Sequence, residues 1–226
     1  HKNSVDGFYP STLNIIDPLL LSSRAFSTVA VTDAFFTLVA PVAKNSARIV
    51  IIVNSVSTGK NHPQMVALQQ TVQQLGYAHV QLLDVLTDDL AALNTATVII
   101  LNGGYEFLLL KNLRETHVLE RLRTLALAGK PIYGISAGAI LLGPDLDLYA
   151  YLYPEDNTEQ LANTTAINAT TIRIYPHYDV HCEVKPQLPQ LITDWEHKTG
   201  VTVKRLTNNQ GLLVHGSQIQ MIDSDS

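Results

Sequence analysis

The sequence predicts an α/β fold: a three-layer sandwich with a mostly parallel central sheet between helices, ending in a C-terminal β-hairpin. Three observations carry this. Short β-branched apolar runs alternate with longer segments of helical character, the order that builds a parallel sheet covered on both faces. One run, RIVIIVN at 48–54, is apolar without alternation, as a strand buried on both sides must be. Prolines and glycines stand where helices should begin and end.

In chain order, LLLS at 19–22 reads as the first strand and 28–39 as a helix. The run 48–54 is the second strand. A helix follows over 63–75, with Pro63 at its start and Gly76 at its end. Strands are expected at 79–85 and at 97–102 (TVIILN). The segment 107–128 reads as one long amphipathic helix closed by Gly129. A fifth strand, 132–135, feeds Ser136 and a short helix. The polar stretch 145–169 reads as an irregular loop long enough to carry function. A strand at 170–175, a helix at 188–198 closed by Gly200, and a hairpin pairing 211–214 with 218–222 complete the chain. Residues 1–17 read as an N-terminal arm and 18–226 as a single domain.

Composition narrows the function. The chain has 226 residues, 46% of them hydrophobic and 15% charged, enough apolar material for a large core and too much for disorder. Its 15 Lys and Arg are scattered and the formal net charge is -5, so nucleic acid is a poor partner. No apolar stretch approaches the roughly 18 residues a membrane span needs; 29–42 comes nearest and carries Asp33. No signal-peptide pattern is visible. Cys182 is the one cysteine, which excludes an internal disulfide and suits a reducing cytoplasm, the expected location. The glycosylation-like triplets at Asn163 and Asn168 read as ordinary loop sequence.

Two stretches carry candidate chemistry. PIYGISAGAI at 131–140 places Ser136 between a strand and a helix, with Gly134, Ala137 and Gly138 around it. This is either a plain small-residue turn or a nucleophile elbow, in which the hydroxyl projects from the carboxyl edge of the sheet. The N–H of Ala137 would then open a helix where it can hold an oxyanion. Asn102-Gly103-Gly104 follows the strand TVIIL, and paired glycines either let backbone N–H groups approach a ligand or form a simple loop. A serine needs a base. Of eight histidines, His177 in IRIYPHYDVH follows a strand end and a proline on the same carboxyl rim, with His181 its competitor. A metal reading of His177, His181, Cys182 and Glu183 finds no second cluster to complete it.

GISAGAILL, NGGYEFLLLKNL and YPHYD, in this order and spacing, resemble the peptidase E family of serine peptidases, relatives of class I glutamine amidotransferases and cyanophycinases. The likeness runs from about Leu19 to Ile222. It implies a class I glutamine amidotransferase-like, flavodoxin-like fold, a Ser-His-acid triad, acyl-enzyme chemistry without metal or organic cofactor, and hydrolysis of short peptides. The best-known members of the family prefer dipeptides with an N-terminal aspartate. Carried over, Ser136 matches the nucleophile, His177 the base, and Gly104 and Ala137 the oxyanion donors.

Two departures from the pattern matter. The family's GGNTF is here GGYEF, so Tyr105 and Glu106, beside Gly103, become candidate substrate contacts. The family's third triad residue is an acid, and Asn208 takes its place in TNNQG at 207–211. An amide oxygen can orient the ring but stabilises the imidazolium less well than a carboxylate. Asp179 is the alternative partner for His177. Arg173 is a candidate for a substrate carboxylate, or a structural charge. The expected partner is a small peptide substrate. Oligomeric state is not legible, a homodimer remaining open. The competing readings are a weak or inactive relative that binds an amino acid or small peptide, and a hydrolase of β-aspartyl or cyanophycin-like bonds.

Overall fold

The computed structural model describes residues 18–40 and 42–223. The arm expected at 1–17 lies outside the described residues. β1 (Pro18–Ser22) leads through α1 (Val29–Val39) to β2 (Arg48–Ile52), then through α2 (Pro63–Gln74) to β3 (His79–Leu83). A single turn, α3 (Ala92–Thr95), precedes β4 (Val98–Leu101). Then come α4 (Glu106–Glu115), α5 (Val118–Leu127), β5 (Ile132–Ile135) and α6 (Ala137–Leu142). The second half contributes α7 (Asp147–Leu152), β6 (Arg173–Tyr175), α8 (Tyr178–Val184), α9 (Leu188–Thr199) and β7 (Val203–Arg205). β8 (Gly211–His215) and β9 (Gln218–Ile222) close the chain.

Seven strands form one sheet in the order β3-β2-β4-β5-β1-β8-β9. The first five in that order are parallel; β8 runs antiparallel to β1, and β9 to β8, as the expected terminal hairpin. Side chains alternate across the pleat, so each central strand feeds two cores. Ile49, Ile51, Ile100 and Tyr133 pack with α1 and α2 on one face, whereas Val50, Ile52, Leu101 and Ile132 pack with α4, α5 and α6 on the other. This is why RIVII shows no polar alternation. Among the described residues no helix is long and apolar enough to cross a membrane.

Local signals set the helix ends. Thr28 accepts a hydrogen bond from Val31 N–H and caps α1 (3.1 Å). His62 does the same for Gln64 N–H ahead of Pro63 (3.1 Å). The α9 helix ends on Gly200 at φ 72, whose N–H returns to the Glu196 carbonyl (2.8 Å).

Three expectations need correction. The segment 107–128 is not one helix. Thr116 ends α4, its hydroxyl donating to the Asn112 carbonyl (2.8 Å), and His117 turns the chain at φ 60 before α5 begins. The apolar pattern hides the break because Leu113 and Val118 on either side are both buried. The strand expected at 170–175 shortens to Arg173–Tyr175 and pairs with β7 in a separate two-stranded sheet. The stretch 145–169 is partly ordered: it contains α7 and a single 3-10 turn at Pro154–Asp156.

Close approach of backbones shapes the turn after β5. A Cβ on Gly138 would lie 2.0 Å from the Leu101 carbonyl oxygen, which belongs to a central strand and cannot move aside. Gly138→Ala is therefore expected to destabilise the fold by about 3 kcal/mol, lowering Tm by roughly 10 °C. Thermal unfolding followed by circular dichroism checks it; an unchanged Tm would show that α6 can lift off β4 without cost.

Candidate active site

β5 ends at the carboxyl edge of the sheet, where open α/β folds place their ligands. Ser136 follows at once, at φ 52 and ψ -112, a conformation that a non-glycine residue seldom adopts. The strain is held by its N–H, which donates to the Ser22 carbonyl (2.9 Å), and by its carbonyl, which accepts from Ile140 N–H as α6 begins (3.0 Å). The turn aims the Ser136 hydroxyl away from the core, half-buried at the base of a cleft.

His177 reaches the serine from a different element. It sits at φ 57 between β6 and α8, its N–H donating to Ser23 Oγ (3.2 Å), while Tyr178 N–H donates to the Leu206 carbonyl (2.9 Å). These bonds tie the turn to the ends of β1 and β7. The ring spans the site: Nε2 lies 2.9 Å from Ser136 Oγ, and Nδ1 lies 2.6 Å from Asn208 Oδ1. An amide oxygen only accepts, so Nδ1 carries the proton and Nε2 presents its lone pair to the serine hydroxyl.

Asn208 is itself braced. Its N–H donates to Asp179 Oδ1 (2.9 Å) and its carbonyl accepts from Arg24 Nε (3.2 Å). The two candidates for the third position thus have different places: Asn208 touches the ring, and Asp179 holds the backbone of Asn208.

Gly104 and Ala137 both line the cleft beside Ser136. Among the described residues neither N–H is engaged by a protein acceptor, whereas the adjacent Tyr105 N–H donates to the Ser55 carbonyl (2.8 Å). Gly104 stands at φ 149, and a Cβ there would meet the Ser55 carbonyl oxygen at 2.6 Å, so the backbone must be bare for this loop to close. Gly103 lies under Ser136, where a Cβ would come 3.1 Å from Ser136 Cβ; its carbonyl accepts from Ser55 Oγ (2.7 Å).

The cleft has two lobes that share Gly104, Ser136 and His177. The larger, about 580 Å³, is walled by Tyr149, Tyr153 and Tyr175 and carries Glu106, Asp156 and Lys185. Tyr149 and Tyr175 stack at 5.8 Å, Tyr175 bonds the Tyr153 hydroxyl and His181 Nδ1, and Lys185 Nζ lies over the Tyr153 ring at 4.5 Å. Burial pushes the Glu106 carboxyl above the usual carboxylate range, with the charge of Asp156 adding to the shift. Burial, then the neighbouring His177, lowers His181. The smaller lobe, about 320 Å³, is lined by Arg24, Gln64, Thr71 and Asn102, among others.

The remaining sequence-derived candidates are scattered. Glu106 faces the larger lobe, but Tyr105 is 71% exposed and does not line it. Arg173 pairs with Asp145 at 2.5 Å and lines neither lobe. No group of three His, Cys, Asp or Glu among the described residues is placed to hold a metal ion. Sequence reasoning missed Arg24 and the tyrosine wall. An exposed arginine after a strand has no local signature, and the tyrosines converge only because α7 and β6 pack together.

A hydroxyl, an imidazole and an orienting oxygen in series at the edge of a parallel sheet are what a hydrolase with a serine nucleophile requires. Comparison with known proteins gives the family: the model of peptidase family S51 matches residues 19–222, and the chain belongs to that family and is a peptidase. An uncharacterized peptidase of Pasteurella multocida (strain Pm70) is 30% identical over 142 residues, 61% of this chain and 67% of the relative. One from Listeria monocytogenes is 26% identical over 158 residues, 67% and 74% of the two chains. Among solved structures, one from L. monocytogenes EGD-e described as a peptidase E protein superposes with a TM-score of 0.75 at 21% identity, covering 93% of this chain and all of the other. A peptidase from an acI-B1 Actinobacterium gives 0.64 at 18% identity, covering 92% and 88%. These likenesses bear out the α/β fold.

Proposed function

We propose that this peptidase works through an acyl-enzyme on Ser136 and hydrolyses short peptides, dipeptides with an N-terminal aspartate first among them. One observation carries the reading: Ser136 Oγ, His177 Nε2, His177 Nδ1 and Asn208 Oδ1 stand in series at 2.9 and 2.6 Å. Ser136 Oγ attacks the peptide carbonyl while Nε2 takes its proton. The N–H groups of Gly104 and Ala137 hold the oxyanion. The imidazolium then protonates the leaving amine as the C–N bond breaks, and water repeats the cycle on the ester. Short substrates suit a cleft walled by Tyr149, Tyr153 and Tyr175 beside Ser136.

A fluorophosphonate probe tests this directly. We expect one covalent adduct, mapped by mass spectrometry to the peptide containing Ser136, with loss of aspartyl-dipeptide hydrolysis in step with labelling. Hydrolysis that persists in fully labelled protein sinks the proposal. Asn208 in the acid position favours a second reading, a relative that binds an amino acid or small peptide and turns it over slowly. An adduct at Ser136 without measurable hydrolysis of any short peptide would select it.

A further inference from the structure

We infer that Arg24 is the residue that reads a substrate carboxylate, in the smaller lobe of the cleft beside Ser136. The inference rests on the acyl-enzyme reading above and assigns a role to the second lobe of the same cleft.

Arg24 follows β1 and lines the smaller lobe together with Ser136 and His177. Its guanidinium is fixed at two points, Nε to the Asn208 carbonyl (3.2 Å) and Nη2 to Asn209 Oδ1 (2.6 Å). Both acceptors are neutral, and Arg24 makes no ion pair among the described residues. A guanidinium has five N–H donors, so about three remain for a ligand. Its charge is therefore uncompensated while its orientation is set, the state in which a planar fork binds a carboxylate best.

The rest of the cleft sends a carboxylate the same way. In the larger lobe Glu106 and Asp156 outnumber Lys185, and the Glu106 carboxylate has no ion-pair partner among the described residues. An anionic group would be repelled there. In the smaller lobe Arg24 is the sole permanently charged side chain among the described residues; Gln64, Thr71 and Asn102 around it are neutral. Arg173, the sequence-level candidate for this task, is committed to Asp145.

A short peptide can supply the carboxylate from two sources: the free α-carboxylate of the leaving amino acid, or an aspartyl side chain on the acyl residue. Matched substrates separate them. Kinetics would be measured on Asp-Ala against its C-terminal amide, and on Asp-Ala against Asn-Ala, with wild type, Arg24→Gln and Arg24→Lys. Wild type is expected to favour the carboxylate member of one pair by about 30-fold in kcat/KM, because the neutral amide cannot accept the same charge-assisted hydrogen bonds. In Arg24→Gln that ratio falls to near unity, and Arg24→Lys keeps part of it. Collapse of the acid/amide ratio assigns the leaving α-carboxylate; collapse of the Asp/Asn ratio assigns the side chain.

A merely structural Arg24, bracing the Asn208 loop, gives a different result. Both members of each pair then lose activity equally and the ratios stay at wild-type values, which overturns the inference. So does a wild type that discriminates in neither pair, whatever the variants do; should Arg24→Gln fail to fold, the wild-type ratios and Arg24→Lys still decide. Failure of the acyl-enzyme reading looks different again, because hydrolysis would then survive complete fluorophosphonate labelling.

Discussion

Ser136→Ala is expected to lower kcat/KM for short peptides by about 10⁴-fold or more, the loss of roughly 5.5 kcal/mol of transition-state stabilisation. The substitution removes one oxygen and leaves the elbow intact. Backbone bonds from Ser136 N–H to Ser22 and from Ile140 N–H to the Ser136 carbonyl do not involve the hydroxyl. Alanine must still adopt φ 52, as the serine does, so Tm should move little. KM should also hold, because the tyrosine wall, Gly104 and Arg24 are untouched. The prediction is therefore a split: kcat falls while binding and folding persist. Steady-state kinetics, calorimetric titration of the variant with the substrate dipeptide, and thermal unfolding check the three parts. Retained kcat would mean that another group attacks the carbonyl.

How much of this was legible before the fold was known differs by element. The parallel strands were, because burial on both faces demands the continuous apolar runs at 49–52 and 98–101. The break at His117 was not, since the apolar period carries through it and only a left-handed backbone marks the turn. The β6–β7 pair was not legible: 170–175 read as a strand, but β7 did not, because three-residue strands hold too few residues to show a pattern or a partner. At the site, glycine spacing and a strand end followed by proline marked Ser136 and His177 as candidates, with His181 in competition, and the family resemblance chose between the histidines. The Asn208 assignment came from alignment to a family pattern, and its geometry bears on a question that residue types alone leave open: which of Asn208 and Asp179 meets the ring. Arg24 had no sequence signal. It matters only because β1 and the 207–210 loop end side by side, through Ser23 N–H to the Gln210 carbonyl and Arg24 to Asn208.

Asn208→Asp is expected to raise kcat by about 10- to 100-fold, a gain of roughly 1.4 to 2.7 kcal/mol. The argument starts from why an amide can fail in this position. Exchanging a triad aspartate for asparagine has cost about 10⁴-fold elsewhere by stabilising the wrong histidine tautomer. Here the amide oxygen already faces His177 Nδ1 at 2.6 Å, and the loop that presents it is pinned by Asp179 and Arg24. Orientation is in place; on the proposed mechanism the missing element is negative charge beside the imidazolium formed in the transition state. A carboxylate at 208 supplies it, at some cost from the nearby Asp179 carboxylate, which keeps the gain below the full 10⁴. Because that charge stabilises the protonated ring, the acidic limb of the kcat/KM profile should move to higher pH, measured from about pH 5 to 9. Asn208→Ala should go the other way, lowering kcat by about 100-fold while Ser136 still reacts slowly with a fluorophosphonate. If both substitutions left kcat and the pH profile unchanged, the amide would be a neighbour of the histidine and not its support.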